Sequence, residues 1–298
     1  MSANAPDHFV TQFATNIQLK LQQKGSRLRK TVMEGTHYGE KASPVDQIGA
    51  IEMQQVVSQF APKSRTDAVL DRRWVFGEDY ELNQMLDSYD KLKLLIDPKS
   101  KQVENAVLAA GRQIDRFIYA AAVGSAKTGK NGGTTTNFLS GNIINVNFGG
   151  GSDVGLTVEK LIEAKRLLMR ADVDLESDEL WCPIGATQHA NLLSQIEVIS
   201  SDFNGGMPVM KDGKLMEFLG IKFVHTEITN ATANLSSGDA VIPVYAKSGM
   251  YLGIWDDIKT DIGVRRDISK NPWEASVTLT AGATRLEEAK VVKILCNI

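Results

Sequence analysis

From Val103 onward, apolar residues recur at Val103, Val107, Ala110, Ile114, Phe117 and Ala121. Spacings of three and four place them on one side of a helix, because each residue turns the chain by about 100°. Asp97-Pro98 supplies a start signal, an N-cap acid followed by proline at the first helical position. Lys101, Glu104, Arg112, Asp115 and Arg116 fall on the opposite side. The spacing predicts one helix of about twenty-five residues, on the order of 35 Å long. Gly111 costs up to about 1 kcal/mol inside it and admits a close neighbour. Gly124 is the C-cap candidate.

A second helix is predicted after Thr157, with Val158, Leu161, Ile162, Lys165 and Leu168 on one side, and a short third one from Thr187 to Ile196. Strand patterns occupy much of the remaining C-terminal half. They are Ile143 to Phe148, Glu179 to Ile184, Gly220 to Thr226, Ala240 to Tyr245, Met250 to Trp255, Ile258 to Val264, Ala275 to Thr280 and Val291 to Leu295. No internal repeat is visible. Helices and strands that do not alternate regularly predict an α+β fold rather than a doubly wound sheet.

The first third of the chain has a different texture. Phe9, Phe13, Ile17 and Leu21 recur every four residues, as in an amphipathic helix within an arm. Lys20, Lys24, Arg27, Arg29 and Lys30 then crowd together. This cluster fits an acidic partner or nucleic acid on one reading and a solvated basic face on the other, equally well. Residues 31 to about 95 are rich in charge. Val56 to Phe60 and Arg72 to Phe76 read as strands, with a turn at Ala61-Pro62-Lys63-Ser64. The segment shows little that could form its own core, so it reads as an extended hairpin that leans on something else. Arms and hairpins of this kind become ordered against neighbouring subunits, and polymerisation is the physical inference.

Composition sharpens that inference. The chain has 298 residues, 43% hydrophobic and 23% charged, with a formal net charge of -3. That balance is ordinary for a globular protein and argues against nucleic-acid binding through a strong overall positive charge. No apolar run reaches the roughly 18 residues of a membrane span, and no signal-peptide pattern opens the chain. Cys182 and Cys296 have no metal-ligand spacing and read as small buried hydrophobes.

Candidate chemistry is sparse. Gly124-Ser-Ala-Lys-Thr-Gly129-Lys130 has the spacing of a phosphate-binding loop, but Asn131 stands where that loop needs a Ser or Thr hydroxyl on Mg²⁺. The following glycines and Thr134 to Thr136 are poor openers for the required helix. His8, His37, His189 and His225 are scattered without metal spacing and read as structural. Asp172, Asp174, Glu176, Asp178 and Glu179 lack the glycine turn and terminal Glu of a calcium loop, and read as a solvated connection. Glu78-Asp79-Tyr80-Glu81 reads the same way. No catalytic, cofactor-binding or metal residue is assigned, and no cofactor is expected.

The order of these pieces resembles a major capsid protein of tailed bacteriophages, with the Hong Kong 97 type of shell fold. The arm and the excursion from Val32 to Leu95 resemble that family's N-arm and E-loop. Asp97 to Val123, with Ala110-Gly111-Arg112-Gln113-Ile114-Asp115-Arg116, is similar to its long spine helix. Thr157 to about Asp256, with Trp181 to Ile196 and Gly220-Ile221-Lys222-Phe223, resembles its axial domain. Ile262 through Gly282-Ala283-Thr284-Arg285-Leu286-Glu287 to Ile294 looks like the strands returning to its peripheral domain.

The resemblance implies five regions. These are an arm at 1–30, an E-loop region at 31–96, a peripheral domain with spine helix and connecting loop at 97–156, an axial domain at 157–261, and returning strands at 262–298. It implies a non-enzymatic virion protein that self-assembles as hexamers and pentamers into an icosahedral shell around double-stranded DNA. Assembly would take place in the host cytoplasm. Separate scaffold, portal and decoration proteins are further partners, and no membrane is involved. The short segment before the E-loop fits a separate scaffold or removal of a longer precursor. No Lys, Asn and Glu match the covalent cross-link of some relatives. Two other readings stay open, an encapsulin-type nanocompartment shell and a nucleotide-binding enzyme using Gly124 to Lys130.

Overall fold

The computed structural model describes residues 22–39, 42–55, 58, 65–86, 99–150, 152–195, 198, 210–211, 214–230, 235–236, 238–269 and 271–298. The expected helix through Phe9 to Leu21, the strand at 56–60 apart from Ser58, the turn at 61–64 and the Asp97-Pro98 start lie outside them.

The helices are α1 (Lys99–Val123), α2 (Val158–Arg170) and α3 (Ala186–Leu193). The strands before α2 are β1 (Met33–Thr36), β2 (Ala42–Ile48), β3 (Leu70–Phe76), β4 (Glu78–Leu86), β5 (Ala126–Thr128), β6 (Thr134–Thr136) and β7 (Ile143–Ile144). Those after it are β8 (Leu180–Ile184), β9 (Met210–Lys211), β10 (Lys214–Leu215), β11 (Glu217–Phe218), β12 (Ile221–His225), β13 (Leu235–Ser236), β14 (Asp239–Ala246), β15 (Met250–Val264), β16 (Trp273–Arg285) and β17 (Val291–Cys296).

The chain divides into two compact units. The larger is formed by Arg27–Glu78, Ile114–Trp255 and Ala281–Ile298, the smaller by the described parts of Met1–Ser26, Asp79–Gln113 and Asp256–Thr280. The larger unit is built on a mixed sheet ordered β11-β12-β8-β14-β17-β7, with β13 on β14. β8 and β12 run parallel, and β14 and β17 antiparallel. Every residue of β14 from Ala240 to Ala246 is buried, so both faces of the sheet are covered. Alternation along the strands sends Ile242, Val244, Ala246, Val292, Ile294 and Cys296 into one core with Leu161, Ala164, Leu167 and Leu168 of α2. Each Val, Leu or Ile among them contributes roughly 1.5–3 kcal/mol by leaving water. On β14, the Tyr245 hydroxyl is bonded to that of Thr31 at 2.7 Å, and the Tyr119 hydroxyl donates to the Val241 carbonyl at 2.6 Å.

Thr157 caps α2 as expected, accepting from the Lys160 N–H at 3.3 Å. The predicted stripe needs correction at one position. Ile162 is exposed, while Lys160 is fully buried beside Leu161 and Ala164. In α1 the buried residues are Ala106, Gly111, Ile114, Asp115, Ile118, Tyr119 and Ala122, whereas Val103, Val107 and Phe117 are half-buried. The inward face is therefore turned by about one residue from the expected stripe. Asp115 is inside because its carboxylate receives the Arg27 N–H at 3.0 and 3.1 Å and the Leu28 N–H at 3.0 Å.

Gly124 is not a left-handed cap. Its N–H closes the last helical bond to the Ala120 carbonyl at 2.7 Å. A Cβ there would come within 2.6 Å of that carbonyl oxygen, so close approach is what requires glycine. The strand expected from Ile143 to Phe148 keeps only Ile143–Ile144. Turns follow, with Phe148 N–H on Asn145 and Gly150 N–H on Asn147, because asparagine competes for the ladder with local turns. The two strands expected at 250–255 and 258–264 form one, β15, since Asp256-Asp257 supplies no Gly or Pro break.

In the smaller unit, Gly111 admits the close neighbour expected of it, with Ser26 N 2.6 Å from where a Cβ would lie. Arg112 donates to Gln22 Oε1 at 2.8 Å and to the Gln23 carbonyl at 3.3 Å. β4 lies beside β16, and the Thr280 hydroxyl donates to Asp79 at 2.8 Å. After β15, Arg265 forks between Asp267 and Glu274, at 2.6 and 2.9 Å. Hydrogen bonding from Arg265 holds the Asp267 carboxyl down to about 2.

Candidate assembly surface

The Gly124–Lys130 loop is a hairpin. β5 pairs with β6 in register from Ala126↔Thr136 to Thr128↔Thr134. The connection turns on Gly129 and Gly132, with φ of 86° and 69°. A phosphate-binding loop puts a helix N-terminus after its glycines; here a strand of three threonines stands in that place. The Gly129 carbonyl accepts from Trp74 Nε1 at 2.7 Å, so the turn is a packing element on β3. Lys130 is exposed at its tip.

β3 joins this hairpin to β2 in a four-stranded sheet ordered β2-β3-β5-β6. The excursion was expected to lean on something else rather than form its own core, and β3 leans on this chain. Val75 is fully buried and Arg73 is only 7% exposed. Beyond β3 the expectation holds. Ile48 is 73% exposed, Leu70 76% and Met53 fully, and Ile51 and Val69 are also open. The ladder closes with Gly49 N–H on the Val69 carbonyl at 2.7 Å. Asp46, Ile48, Leu70, Arg72 and Lys130 line a cleft of about 580 Å³, with Arg72 forked onto Asp46 at 2.5 and 3.2 Å. A run of exposed apolar residues rimmed by charge marks an interaction surface.

The root of this excursion is held by buried charge. Arg73 Nη1 meets Glu288 Oε1 at 3.2 Å, and Arg285 Nε meets the other oxygen at 2.6 Å. Arg285 has no solvent exposure. Its Nη1 donates to the carbonyls of Ala121, Ala122 and Gly124 at 3.1, 3.2 and 2.8 Å. Those groups end α1, where free carbonyls and the helix dipole favour a cation. The Arg285 guanidinium and the Lys293 ammonium both lie over the Phe138 ring, at 4.8 and 4.1 Å. Burial, then the Arg285 charge, lowers the Lys293 pKa. Gln47 donates to the Leu286 carbonyl at 3.1 Å, a second tie from β2.

The remaining candidates are structural in their contacts. His37 is bonded to the Tyr251 hydroxyl at 2.9 Å beside the Trp255 ring, and burial lowers its pKa. His8 lies outside the described residues. His189 and His225, expected to be unrelated, are neighbours with ring centroids 4.7 Å apart. The acidic run forms turns and ties. Asp174 accepts from the Glu176 and Ser177 amides, Asp178 from the Ser248 amide, and Glu179 pairs with Lys222 at 2.5 Å. In the basic cluster, Arg27 Nη1 donates to the His225 carbonyl and Arg29 pairs with Glu34, while Lys24 and Lys30 are exposed. Cys182 and Cys296 are buried and unpaired, and burial pushes the Cys296 thiol up to about 12.

What the sequence reading missed among the described residues was the buried charge, Arg73, Asp115, Lys160 and Arg285, with Glu288 half-buried between the two arginines. Lys160 left a periodic signal, at helical spacing with Ala164, Leu167 and Leu168, and so did Asp115, with Ile118, Tyr119 and Ala122.

A core whose charged residues brace its own strands, with an apolar excursion left open, has the features of a structural subunit. Residues 5–298 match the phage capsid protein family, and the chain belongs to it. It is a major capsid protein, a structural component of the bacteriophage virion. No curated protein matches the sequence. The fold is similar to the capsid of cyanophage P-SCSP1u, at 14% identity and a TM-score of 0.75 over 98% of this chain and 94% of that one. The capsid protein of cyanophage Pam1 is similar at 13% identity and a TM-score of 0.73, over 98% and 97%. That of Ralstonia phage GP4 is similar at 9% identity and a TM-score of 0.71, over 100% and 97%. The chain therefore has the α+β fold of the Hong Kong 97 type, as the order of its elements suggested.

Proposed function

We propose that this capsid protein self-assembles as hexamers and pentamers into an icosahedral shell that encloses double-stranded DNA. The observation that carries the reading is the excursion beyond β2 and β3. Its apolar side chains are open, while its root is fixed by Arg73, Glu288 and Arg285. Such a segment gains its burial from a neighbouring copy. In this reading 1–30 is the arm, 31–96 the E-loop region, 97–156 the peripheral domain with α1 as spine helix, 157–261 the axial domain, and 262–298 the returning strands. The subunit works without chemistry of its own. It assembles in the host cytoplasm with a scaffold, and meets portal and decoration proteins in the finished particle. DNA is held by non-specific contact.

Negative-stain microscopy of the expressed chain tests assembly, with capsomers or closed isometric particles expected. A protein that stays monomeric with and without its scaffold would overturn the reading. Virions built from the chain should hold nuclease-protected DNA. Shells loaded with protein instead would make it a nanocompartment.

A further inference from the structure

Leu215 stands at the base of the β9–β10 hairpin, with its side chain fully buried. Both of its backbone polar groups meet imidazoles. Its N–H donates to Nε2 of His189, on α3, at 3.3 Å. Nε2 of His225, on β12, lies 3.2 Å from its carbonyl oxygen. The two rings meet edge to face with centroids 4.7 Å apart.

These partners fix the protons. An amide N–H only donates, so Nε2 of His189 carries a lone pair. A carbonyl only accepts, so Nε2 of His225 carries hydrogen. Bonded in this way, His189 is a neutral Nδ1–H tautomer, and His225 is the donor.

We propose that His189 and His225 form an acid-sensitive latch whose protonation frees Leu215, and with it the β9–β10 hairpin, from α3 and β12. A protonated His189 has no lone pair, so its Nε2–H would point at the Leu215 N–H. A proton on His225 as well would place two cations edge to face. The surrounding charge does not relieve this. Lys214 precedes Leu215 on β10, and Arg27 donates to the His225 carbonyl. Most carboxylates of the packed elements have other partners. Glu227 accepts from the Ala186 N–H at 2.7 Å and from Asn230 at 3.1 Å. Glu179 pairs with Lys222, Glu217 stands opposite Lys222 in the β11–β12 register, and Asp115 accepts from Arg27 and Leu28.

Burial lowers the His225 pKa, and His189, Lys214 and Arg27 push the same way, against the bond to Leu215. The bond to Leu215 itself favours a proton on His225, so the contact that acid breaks is the Leu215 N–H on the His189 lone pair. The latch holds while Nε2 of His189 keeps its lone pair and is lost when that nitrogen carries hydrogen. Release ends at Leu215, because the next residues are held by the Phe223 N–H on the Met216 carbonyl at 2.9 Å and by the β11–β12 ladder. No imidazole takes part in those bonds.

Hydrogen exchange on the full chain, corrected for the intrinsic pH dependence, tests the latch. Protection of the Leu215 amide should fall at least tenfold between pH 7.5 and pH 5.0, with β14 unchanged. Glutamine can offer the same acceptor or donor without titrating, so the His189→Gln/His225→Gln protein should keep its protection at pH 5.0. Equal wild-type protection at both values would overturn the latch, as would a loss that persists in the double variant. If that variant does not fold, histidine ¹⁵N spectra of the wild type decide. An Nε2–H tautomer at His189 at neutral pH would overturn it.

Discussion

Lys160 puts a full charge at a fully buried position. Its ammonium lies 2.9 Å from the carbonyl oxygens of Val146, Val154 and Leu295 and 3.0 Å from that of Gly155. Desolvation lowers its pKa, so burial is the largest influence on it. The four carbonyls repay that cost by taking the place of hydration. They also tie the segment between β7 and α2 to β17. Lys160→Met keeps much of the stem volume and leaves these carbonyls without their donor. An unmet buried group costs roughly 1–3 kcal/mol. A total loss of about 3 kcal/mol is expected, read as a lower urea midpoint at unchanged slope. Lys160→Arg should not restore stability, because a planar fork cannot replace a compact ammonium among converging carbonyls. A midpoint equal to wild type in Lys160→Met would show that the bonds add nothing net.

α1 shows how far a pattern carries at the scale of an element. The helix itself was legible, since it runs from Lys99 to Val123 and the sequence reading spanned Asp97 to Val123. Its facing was not. Apolar spacing favoured Val103, Val107, Ile114 and Phe117, and put Asp115 outside. The structure buries Ile114, Asp115, Ile118 and Tyr119, because a carboxylate with backbone donors, and a tyrosine with a carbonyl acceptor, can lie inside. Those partners are distant in sequence, so periodicity could not register them. Ile118→Ala should cost about 2–5 kcal/mol as a buried aliphatic deletion. Phe117→Ala, at a half-buried position, should cost less. Denaturation of the two single variants side by side checks the order. A larger loss at Phe117 would restore the facing expected from the stripe.

At the scale of the molecule, the succession of elements was enough to suggest the capsid fold, while the pairings behind it were hidden. Nothing in the spacing of Arg73, Arg285 and Glu288 says that they meet, and it is their meeting that separates the root of the excursion from its open part. That division makes the assembly surface testable without dismantling the fold. Removing β3 would strip Val75 and Arg73 from the interior and unfold the chain. Replacing only Ala50–Ala68 by Asn-Gly leaves the Gly49–Val69 closure to seed a two-residue hairpin, for which Asn-Gly is a favoured turn. Loop shortening changes closure entropy by only about 0.6 kcal/mol per halving, in the stabilising direction. The shortened chain should therefore melt within a few degrees of the unassembled wild type. It should also form no closed shells, since Ile51 and Met53 are gone and Ile48 and Leu70 have lost their extension toward a neighbour. Closed particles of normal size from the shortened chain would remove the excursion from the assembly surface. A well-folded subunit that stops before closure would place the assembly contacts beyond the root that Arg73 and Glu288 hold.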